Sequence, residues 1–423
     1  MSDDESSPAH ATSTAATGGP QAAANGRAAR QAGLREHNLS LTLQHVLDAA
    51  GPVSRANIAA ATGLARATVS GLVDLLIEAN LVRELDLEPH GARGAGRPGV
   101  PLAPARGTIA GIGMEVNVDY LGVRAVDLAG TVLHESVEFG DFRNSDPAAV
   151  LDRLARLAGV AIAALSADGV RIAGTALALP GLVDRVTGPL RVAPNLGWRD
   201  VDVVGRMIAH PVLEAFAPHL ANEANLAARA ESHARRGGGR PSFVYVSGEV
   251  GIGGAIVIDG EIFAGRHGWS GEIGHLIVDP FGARGPGRGS LEHFAGQDAL
   301  MVGAGLDPSL PIARLVEAAA TDDPAALGSL RAGARALGIA LANVVNIVDV
   351  GEVVLGGAFA PLFPYLRDTV SEELERGVIF APWSPLRVGV AVAGEYPAMT
   401  GAALVVLRTV VADPGGWMPG EQP

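Results

Sequence analysis

A cluster of small and basic side chains near residue 66 has the composition and spacing of a surface that reads DNA. The apolar residues beside it recur at i, i+3, i+4 and i+7, namely Val69, Leu72, Val73 and Leu76. This is the pattern of a helix that buries one face. Residues near the start of that helix then point outward, and we expect Arg66, Ala67, Thr68 and Ser70 to face solvent. Arginine and backbone amides hold phosphates, and this end of a recognition helix meets base edges in the major groove.

The segments around this helix are those of a helix-turn-helix. Ser54 can cap a short helix over Arg55–Thr62, and Gly63 suits the left-handed position that ends it. A hairpin formed by residues 81–87 and 100–102 would make a wing, with Arg93 and Arg97 in its loop. We therefore predict DNA contacts from Arg55, Arg66, Ala67, Thr68, Ser70, Arg93 and Arg97. The alternative is an ordinary helical hairpin whose arginines form a solvated face.

The distribution of charge favours the DNA-binding interpretation. The chain carries a net charge of −13, and all 32 of its basic residues are arginine. Residues 27–106 carry nine Arg and seven acids, a balance of +2, whereas residues 107–423 carry 23 Arg and 35 acids, a balance of −12. A locally positive segment is what contact with phosphate requires.

The overall composition excludes several other classes of protein. The 423 residues contain no cysteine, so the chain has neither disulfides nor thiolate metal ligands. No apolar run reaches the length of a membrane-spanning helix, and no basic segment leads into an apolar stretch at the N-terminus. We expect a cytoplasmic protein that does not contact a membrane.

The chain divides into segments of different character. Residues 1–36 are predicted to be a disordered tail, residues 37–105 the winged helix-turn-helix, residues 106–415 an α/β module and residues 416–423 a flexible tail. In the third segment we predict strands near residues 109–118, 121–127, 131–137, 172–179 and 352–355, a hairpin at 242–263, helices near 147–165, 221–235 and 330–347, and a strand-helix pair at 386–411. The recurrence of this scheme predicts two related α/β lobes around a cleft.

Short motifs within the α/β module resemble those of the ROK family, which groups bacterial repressors, uncharacterised reading frames and sugar kinases. Pro194-Asn195-Leu-Gly-Trp198 is similar to the Pro-Asn-Leu-x-Trp loop of the family, and Gly271-Glu272-Ile-Gly-His275 to its Gly-Glu-x-Gly-His motif. Asn222-Glu223 resembles its Asn-Asp pair at the start of a helix, and Gly289-Ser290-Leu-Glu292 its Gly-Cys-x-Glu motif. The resemblance, in particular to winged-helix repressors related to the xylose and N-acetylglucosamine regulators, covers residues 39–411.

The resemblance implies a ribonuclease H-like module of the actin and sugar-kinase type, with a sugar pocket. The implied ligand-binding residues are Asn195, Asn222, Glu223, Glu272, His275 and Glu292. Amides and carboxylates suit a neutral polyol, because Asn both donates and accepts and Glu accepts from two hydroxyls. Other roles are open for some of them. Asn222 could simply cap a helix, and Glu272 with His275 could be a solvated pair.

Three departures from the family's kinases predict that the module senses a ligand without phosphorylating it. The general-base Asp of the kinases is Glu223 here, and their Asp-x-Gly-x-Thr phosphate loop reads Gly113-Met-Glu115-Val-Asn117. A carboxylate at Glu115 would repel polyphosphate. The glycines of residues 247–254, which also include Glu249, could be either a second phosphate loop or a tight hairpin. The zinc cysteines are absent between residues 283 and 290, so we expect no zinc and no other cofactor.

These observations predict a sugar-controlled transcriptional regulator, most simply a repressor, that binds double-stranded operator DNA as a homodimer or homotetramer. A bifunctional sugar kinase with an appended DNA-binding domain is the alternative from another class. A constitutive DNA-binding scaffold with a vestigial pocket is a third. The identity of the sugar and the direction of its effect on DNA binding stay open at this stage.

Overall fold

A computed structural model of the chain describes residues 20–86, 100–186, 188–239, 241–279 and 289–419. The N-terminal part is a helical unit completed by a small sheet. Its elements are α1 (Pro20–Asp48), β1 (Val53–Ser54), α2 (Arg55–Thr62), α3 (Arg66–Glu78), β2 (Val82–Glu84) and β3 (Pro101–Pro104). Strand β3 lies between β1 and β2 and is antiparallel to both. This is the predicted winged helix-turn-helix.

Local chemistry explains where the helices of this unit begin and end. The Ser54 side chain accepts a hydrogen bond from the backbone N–H of Asn57, which fills a donor left free at the start of α2. Gly63 ends α2 in the left-handed conformation, at φ 73°. The four apolar residues of α3 that the spacing predicted to be inside are all buried.

The first lobe of the α/β module contains a five-stranded sheet with the order β6-β5-β4-β7-β11. Its elements are β4 (Ile109–Val116), β5 (Tyr120–Asp127), β6 (Val132–Phe139), α4 (Pro147–Ala167), β7 (Arg171–Leu179), β8 (Leu182–Val183), β9 (Leu190–Ala193), β10 (Trp198–Val201), α5 (Val203–Ile208) and β11 (His219–Asn222). Strands β8, β9 and β10 form a separate small antiparallel sheet. The turn between β9 and β10 carries the predicted sugar-binding asparagine.

The second lobe contains a five-stranded sheet with the order β14-β13-β12-β15-β16. Its elements, with the helix that leads into it, are α6 (Glu223–Arg235), β12 (Phe243–Gly248), β13 (Ile252–Ile258), β14 (Glu261–Ile262), α7 (Leu291–Ala295), α8 (Gln297–Gly303), α9 (Ala313–Ala320), α10 (Pro324–Val348), β15 (Glu352–Gly357), α11 (Phe359–Gly377), β16 (Arg387–Val390) and α12 (Pro397–Ala412).

The two lobes share one topology, as the recurring pattern predicted. In each sheet three strands are antiparallel neighbours, and two further strands extend the sheet in parallel. The helices that close the lobes are exchanged across the cleft. Helix α12 follows the last strand of the second lobe but packs on β4 and β7 of the first, while α6 packs on β13 of the second. Helices α6 and α12 also pack on each other, so they form the hinge side of the cleft.

Two boundaries differ from the sequence predictions. Helix α1 begins at Pro20, so the prediction of an unstructured tail is wrong for residues 20–36, and residues 1–19 lie outside the described part. At the other end, Trp417 and Met418 pack against the core of the winged helix, so the predicted flexible tail is wrong up to residue 419. Within the described ranges no single helix is long and apolar enough to cross a membrane; only α2 and α3 taken as a pair bent by 119° meet that test.

Candidate effector and DNA-binding sites

The outer face of α3 presents the side chains expected to meet DNA. Arg66, Ala67 and Thr68 are exposed and Ser70 is half-buried, while the opposite face packs on α1 and α2. The helix has no side-chain cap at its start. Its first backbone N–H groups are therefore free of a capping side chain and are directed as donors along the helix axis. The arrangement provides both a guanidinium and amide donors for phosphate.

The remaining predicted DNA contacts have different surroundings. The guanidinium of Arg55 forms ion pairs with Asp74 at 2.8 Å and with Glu84 at 2.7 Å, so it ties α2 to α3 and to the wing strand β2. This arginine has a structural role in the free protein, and a phosphate contact would compete with both carboxylates. Arg93 and Arg97, at the predicted wing tip, lie outside the described residues.

The DNA-binding unit and the α/β module share one hydrophobic core. Leu404, Leu407 and Val410 of α12 pack into the same cluster as the buried face of α3. Polar contacts surround this cluster. The Thr108 hydroxyl donates to the Asn80 carbonyl at 2.7 Å, and the Arg171 guanidinium donates to the Trp417 carbonyl at 2.8 Å. A cavity of about 600 Å³ lies beside the cluster, between α1, α6 and α12.

The predicted sugar-binding loop is rigidly attached to the first lobe. A single 3-10 turn over Pro194–Leu196 precedes Gly197, which has φ 73°. The next residue, Trp198, is buried in the first-lobe core, and its indole N–H donates to the Ser145 carbonyl at 3.0 Å. Asn195 is half-buried at the crest of this turn. Anchoring on both sides thus fixes the position of its amide.

Asn195 and Glu292 converge on Gly251, although they come from different lobes. The position of a Cβ on Gly251 would be 2.8 Å from the Glu292 Oε2 atom and 3.2 Å from the Asn195 Nδ2 atom. The same Glu292 oxygen accepts a hydrogen bond from the backbone N–H of Ile252 at 3.0 Å. The absent side chain at Gly251 therefore leaves an amide and a carboxylate facing one space across the cleft.

The amide of Asn222 is already engaged by the protein. Its oxygen accepts from the backbone N–H groups of Ala224 and Asn225 at 2.9 and 3.2 Å, and its nitrogen donates to the Gly181 carbonyl at 3.0 Å. This is the capping role that the sequence left open. The cap holds the first turn of α6 in place and so positions the neighbouring Glu223.

Glu223 is the first residue of α6 and faces the cleft. Its Oε2 atom is buried without a hydrogen-bond partner. Burial raises the pKa of its carboxyl well above the usual range, and the charges of Glu249, Glu115 and Glu272 raise it further.

Glu272 and His275 lie at the rim of this group. Both residues are exposed, on either side of a 3-10 turn over Ile273–His275. Burial of the carboxyl end still raises the pKa of Glu272, the charge of His275 lowers it and the charge of Glu292 raises it. The structure therefore brings Asn195 and Glu292 together at Gly251 and places Glu223 in the cleft, whereas Glu272 and His275 are exposed and are linked to Glu223 and Glu292 by charge alone. A hydroxyl-rich ligand would find acceptors on several sides there.

Within the segments that the structure describes, no group of three or more His, Cys, Asp or Glu side chains could hold a metal ion. Most of the segment that resembles the family's zinc loop, residues 280–288, is outside the described residues. The base of this segment is closed by backbone contacts. Ile277 pairs with Ser290 in a β-bridge, and the N–H groups of Val278 and Asp279 donate to the Gly289 carbonyl at 2.8 and 3.1 Å.

The phosphate-loop positions carry carboxylates that face each other. Glu115 on β4 and Glu249 after β12 line the same cleft as Glu223. The Asn117 amide, which stands at the Thr position of the kinase loop, donates to Glu249 Oε2 at 2.8 Å. Burial raises the pKa of Glu115 to about 7, and the charge of Glu249 contributes to this rise. Carboxyls at these positions offer no positive charge to a polyphosphate, and each one that ionises repels it.

The loss of the kinase Asp at Gly113 has a steric reason. A Cβ on this glycine would lie 2.8 Å from the backbone nitrogen of Ala403 and 2.9 Å from the carbonyl carbon of Met399, and closer still to the Met399 oxygen. All three atoms belong to the backbone of α12. A side chain of any size at residue 113 is thus incompatible with the packing of α12 on β4.

Comparison with known proteins identifies the family. The ROK family profile matches residues 112–409. The chain belongs to the ROK family. Among its relatives, the xylose repressor of Bacillus subtilis is 27% identical over 353 residues, which cover 83% of this chain and 89% of the repressor. A transcriptional regulator of Mycobacterium tuberculosis is 30% identical over 395 residues, or 86% of this chain and 84% of that protein.

Solved ROK structures have the same fold. A ROK family transcriptional regulator, a homologue of the Escherichia coli MLC protein, superimposes with a TM-score of 0.73 at 24% identity, over 90% of this chain and 97% of its own. The ROK hexokinase of Thermus thermophilus superimposes with a TM-score of 0.58 at 26% identity, over 71% of this chain and 99% of its own. The predicted two-lobed kinase-like module with an N-terminal winged helix is confirmed.

Several residues of the cleft were not predicted from the sequence. Tyr120 donates its hydroxyl hydrogen to Glu115 Oε1 at 2.7 Å, and its ring packs edge-on against that of Tyr396, with 5.2 Å between the centroids. Tyr396 precedes α12 with φ 51°, an uncommon conformation for a residue with a side chain. A signal for Tyr120 existed in its position at the start of a strand beside the phosphate loop. None existed for Tyr396.

Proposed function

We propose that this ROK protein is a sugar-responsive transcriptional repressor whose kinase-like module binds its effector without phosphorylating it. The observation that carries the proposal is the position of α12. Pro397 and Ala398, at one end of the helix, line the cleft, whereas Leu404 and Leu407, further along, belong to the core of the winged helix. One rigid element therefore joins the ligand cleft to the DNA-binding unit.

The proposed coupling follows from the exchanged helices. A sugar held by Asn195 of the first lobe and Glu292 of the second draws the lobes together around Gly251. Because α6 and α12 pack on each other across the hinge side, closure changes the angle between α12 and the second lobe. The winged helix moves with α12, so a ligand that binds the closed form better changes the affinity for DNA by its differential affinity.

Phosphoryl transfer is not part of the proposed function. The family's kinases place Asp-x-Gly-x-Thr where this chain has Gly113 to Asn117, and the packing of Met399 against Gly113 leaves no room for the Asp. Glu115 and Glu249 place acidic side chains, rather than cationic ones, where phosphates would lie. The homologous repressors support the absence of catalysis, since the xylose repressor of Bacillus subtilis is similar over 83% of this chain.

We further propose that the functional unit is a homodimer or tetramer that binds a two-fold symmetric operator in the cytoplasm. Arg66, Ala67, Thr68 and Ser70 would contact the major groove, and Arg93 and Arg97 would contact the minor groove beside it. Helix-turn-helix dimers read half-sites separated by about one helical turn. The expected operator is thus a palindrome with that spacing.

The switch is tested by fluorescence anisotropy on DNA that the full-length protein selects from a random pool, titrated with xylose, glucose and N-acetylglucosamine. We expect one sugar to change the DNA affinity in the wild-type protein. Glu292→Gln should weaken that response by about 10- to 100-fold in sugar concentration, because a hydrogen bond to a charged group contributes about 1.5–3 kcal/mol.

Matched variants separate the parts of this proposal. Glu372→Gln makes the same charge change at an exposed position of α11 and should leave the response intact. Arg66→Ala should weaken DNA binding while sugar binding, followed by calorimetry, stays unchanged. An unchanged DNA affinity with every sugar bound would reject the switch. ADP release with a hexose or pentose that is lost in Glu223→Ala would instead establish the sugar kinase.

A further inference from the structure

The phosphate end of the cleft is a strongly acidic chamber of about 730 Å³. Carboxylates line it from both lobes and from the hinge: Glu115, Asp119, Glu223, Glu249 and Glu395. No arginine is among its described lining residues. The chamber is adjacent to the proposed sugar site, since Glu223 borders both, but Glu115 and Glu249 have no role in that site.

The arginines nearest to the chamber are already engaged elsewhere. Arg124, whose charge reaches Glu115, bonds to Glu135 at 2.8 Å and to the Thr400 hydroxyl at 2.6 Å. Arg143 pairs with Asp119 at 3.2 Å. Glu115, Glu223 and Glu249 therefore form a group of three buried carboxyls without an arginine partner in the described part of the chain.

Two atoms of this group show that it is incomplete. Glu115 is 2% exposed, and its Oε2 atom has no hydrogen-bond partner, although its other oxygen accepts from Tyr120. The Oε2 atom of Glu223 is likewise buried and unpartnered. A buried carboxylate oxygen without a donor is costly, and neighbouring carboxylates increase that cost. These two carboxyl oxygens thus have no hydrogen-bond donor in the described part of the chain, although the unpartnered hydroxyl of Tyr245 lines the same chamber.

The chamber suits a primary ammonium group better than a divalent metal ion. A divalent metal needs several oxygen ligands at about 2.0–2.6 Å in a defined geometry, and the described carboxylates form no such group. A primary ammonium carries three donors and tolerates longer contacts of about 2.7–2.9 Å to carboxylates. The aromatic wall formed by Tyr120 and Tyr396 suits the carbon atoms next to such a group.

We propose that the phosphate end of the cleft binds a primary ammonium group, which donates to the unpartnered oxygens of Glu115 and Glu223 beside Glu249. The chamber disfavours a polyphosphate and favours a cation in the same space. The ammonium belongs either to a free diamine or to an amino sugar whose ring occupies the adjacent sugar site. Only the second source depends on the proposed effector site.

The test is calorimetric titration of the full-length protein at pH 7.5 in phosphate buffer with four probes. Putrescine is compared with 1,4-butanediol, its neutral counterpart, and glucosamine is compared with glucose. We expect at least one amine to bind at least tenfold more tightly than its neutral partner. Binding of putrescine identifies a free amine as sufficient, and binding of glucosamine alone assigns the ammonium to an amino sugar.

Variants test whether the amine binds in this chamber. Glu115→Gln keeps an acceptor for Tyr120, removes one charge and should weaken amine binding at least tenfold; Glu249→Gln provides a second, independent removal. Glu372→Gln, on the surface, should have no effect. Three results would each overturn the proposal: equal affinity for the amines and their neutral partners, binding of Mg²⁺ but of neither amine in the same titration, or amine binding unchanged in both chamber variants. None of these results depends on DNA, so they are separable from a failure of the repressor switch.

Discussion

Replacing Gly113 with alanine should loosen the packing between β4 and α12. The added Cβ would meet backbone atoms of Met399 and Ala403 at distances of 2.9 Å or less. Carbon atoms normally approach no closer than about 3.5 Å. Relief requires a backbone displacement, because a fixed helix backbone, rather than a flexible side chain, is the obstacle. Overpacking of this kind costs about 1–3 kcal/mol and occasionally more.

Urea-induced unfolding of Gly113→Ala and the wild type, followed by circular dichroism, measures this cost. We expect a midpoint at lower urea with a similar slope, which identifies a loss of stability rather than a change in the unfolded state. The control is Gly328→Ala, on an exposed face of α10 where a Cβ meets nothing within 4 Å. Alanine there should stabilise the protein by about 0.5–1 kcal/mol.

The same variant tests whether α12 couples the ligand cleft to the DNA-binding unit. Because α12 also carries Leu404 and Leu407 into the winged-helix core, its displacement should change DNA affinity although residue 113 is not part of that core. If Gly113→Ala unfolds at the same urea concentration as the wild type and binds DNA equally well, the close packing of α12 on β4 is not a feature of the protein in solution.

Further predictions concern four other positions. The pKa of Glu115 is raised in the folded state, so its protonation stabilises the fold fully below pH 4.5. This contribution is lost as the pH rises towards about 7. Glu115→Gln should accordingly raise the melting temperature at pH 8 more than at pH 5. Glu231→Ala should lower stability by about 1–3 kcal/mol for each backbone N–H that it leaves without an acceptor, since the buried carboxylate accepts from Val392 and Ala393, whereas Arg235 keeps its ion pair with Glu352; chemical denaturation measures the loss. Gly63→Ala should cost about 1–2 kcal/mol through its left-handed backbone alone, because a Cβ there meets no neighbour. Arg66→Ala should lower the slope of log affinity against log salt concentration by about one; an unchanged slope would remove this arginine from the interface.

Local features of the fold could be predicted from the sequence, because they depend on neighbours in the chain. The cap at Ser54, the left-handed Gly63 and the buried stripe of α3 follow from spacing and residue type. Helix α11 was not predicted, since Pro364 lies inside it, although Leu362, Leu366, Val370 and Leu374 carry its buried face. The signal was present but was outweighed by the proline.

The candidate site could be predicted only in part. Asn195 and Glu292 are 97 positions apart in the sequence, and nothing in their spacing indicates that they meet at Gly251; only the resemblance to a family placed both in one pocket. The capping role of Asn222 was foreseen as an alternative. The mutual proximity of Glu115, Glu223 and Glu249 depends on the closure of two lobes, so it could not be derived from periodicity.

The shared core beneath the DNA-binding helices has a consequence for biosynthesis. The winged helix is translated before both lobes, but Leu404, Leu407 and Val410, which complete its hydrophobic cluster, lie on α12 and leave the ribosome only after the strands of both lobes. A nascent or prematurely terminated chain therefore exposes part of the surface on which α3 should rest. The recognition helix acquires its full support only after α12 has been synthesised, so chains that stop before α12 are poor competitors for the operator.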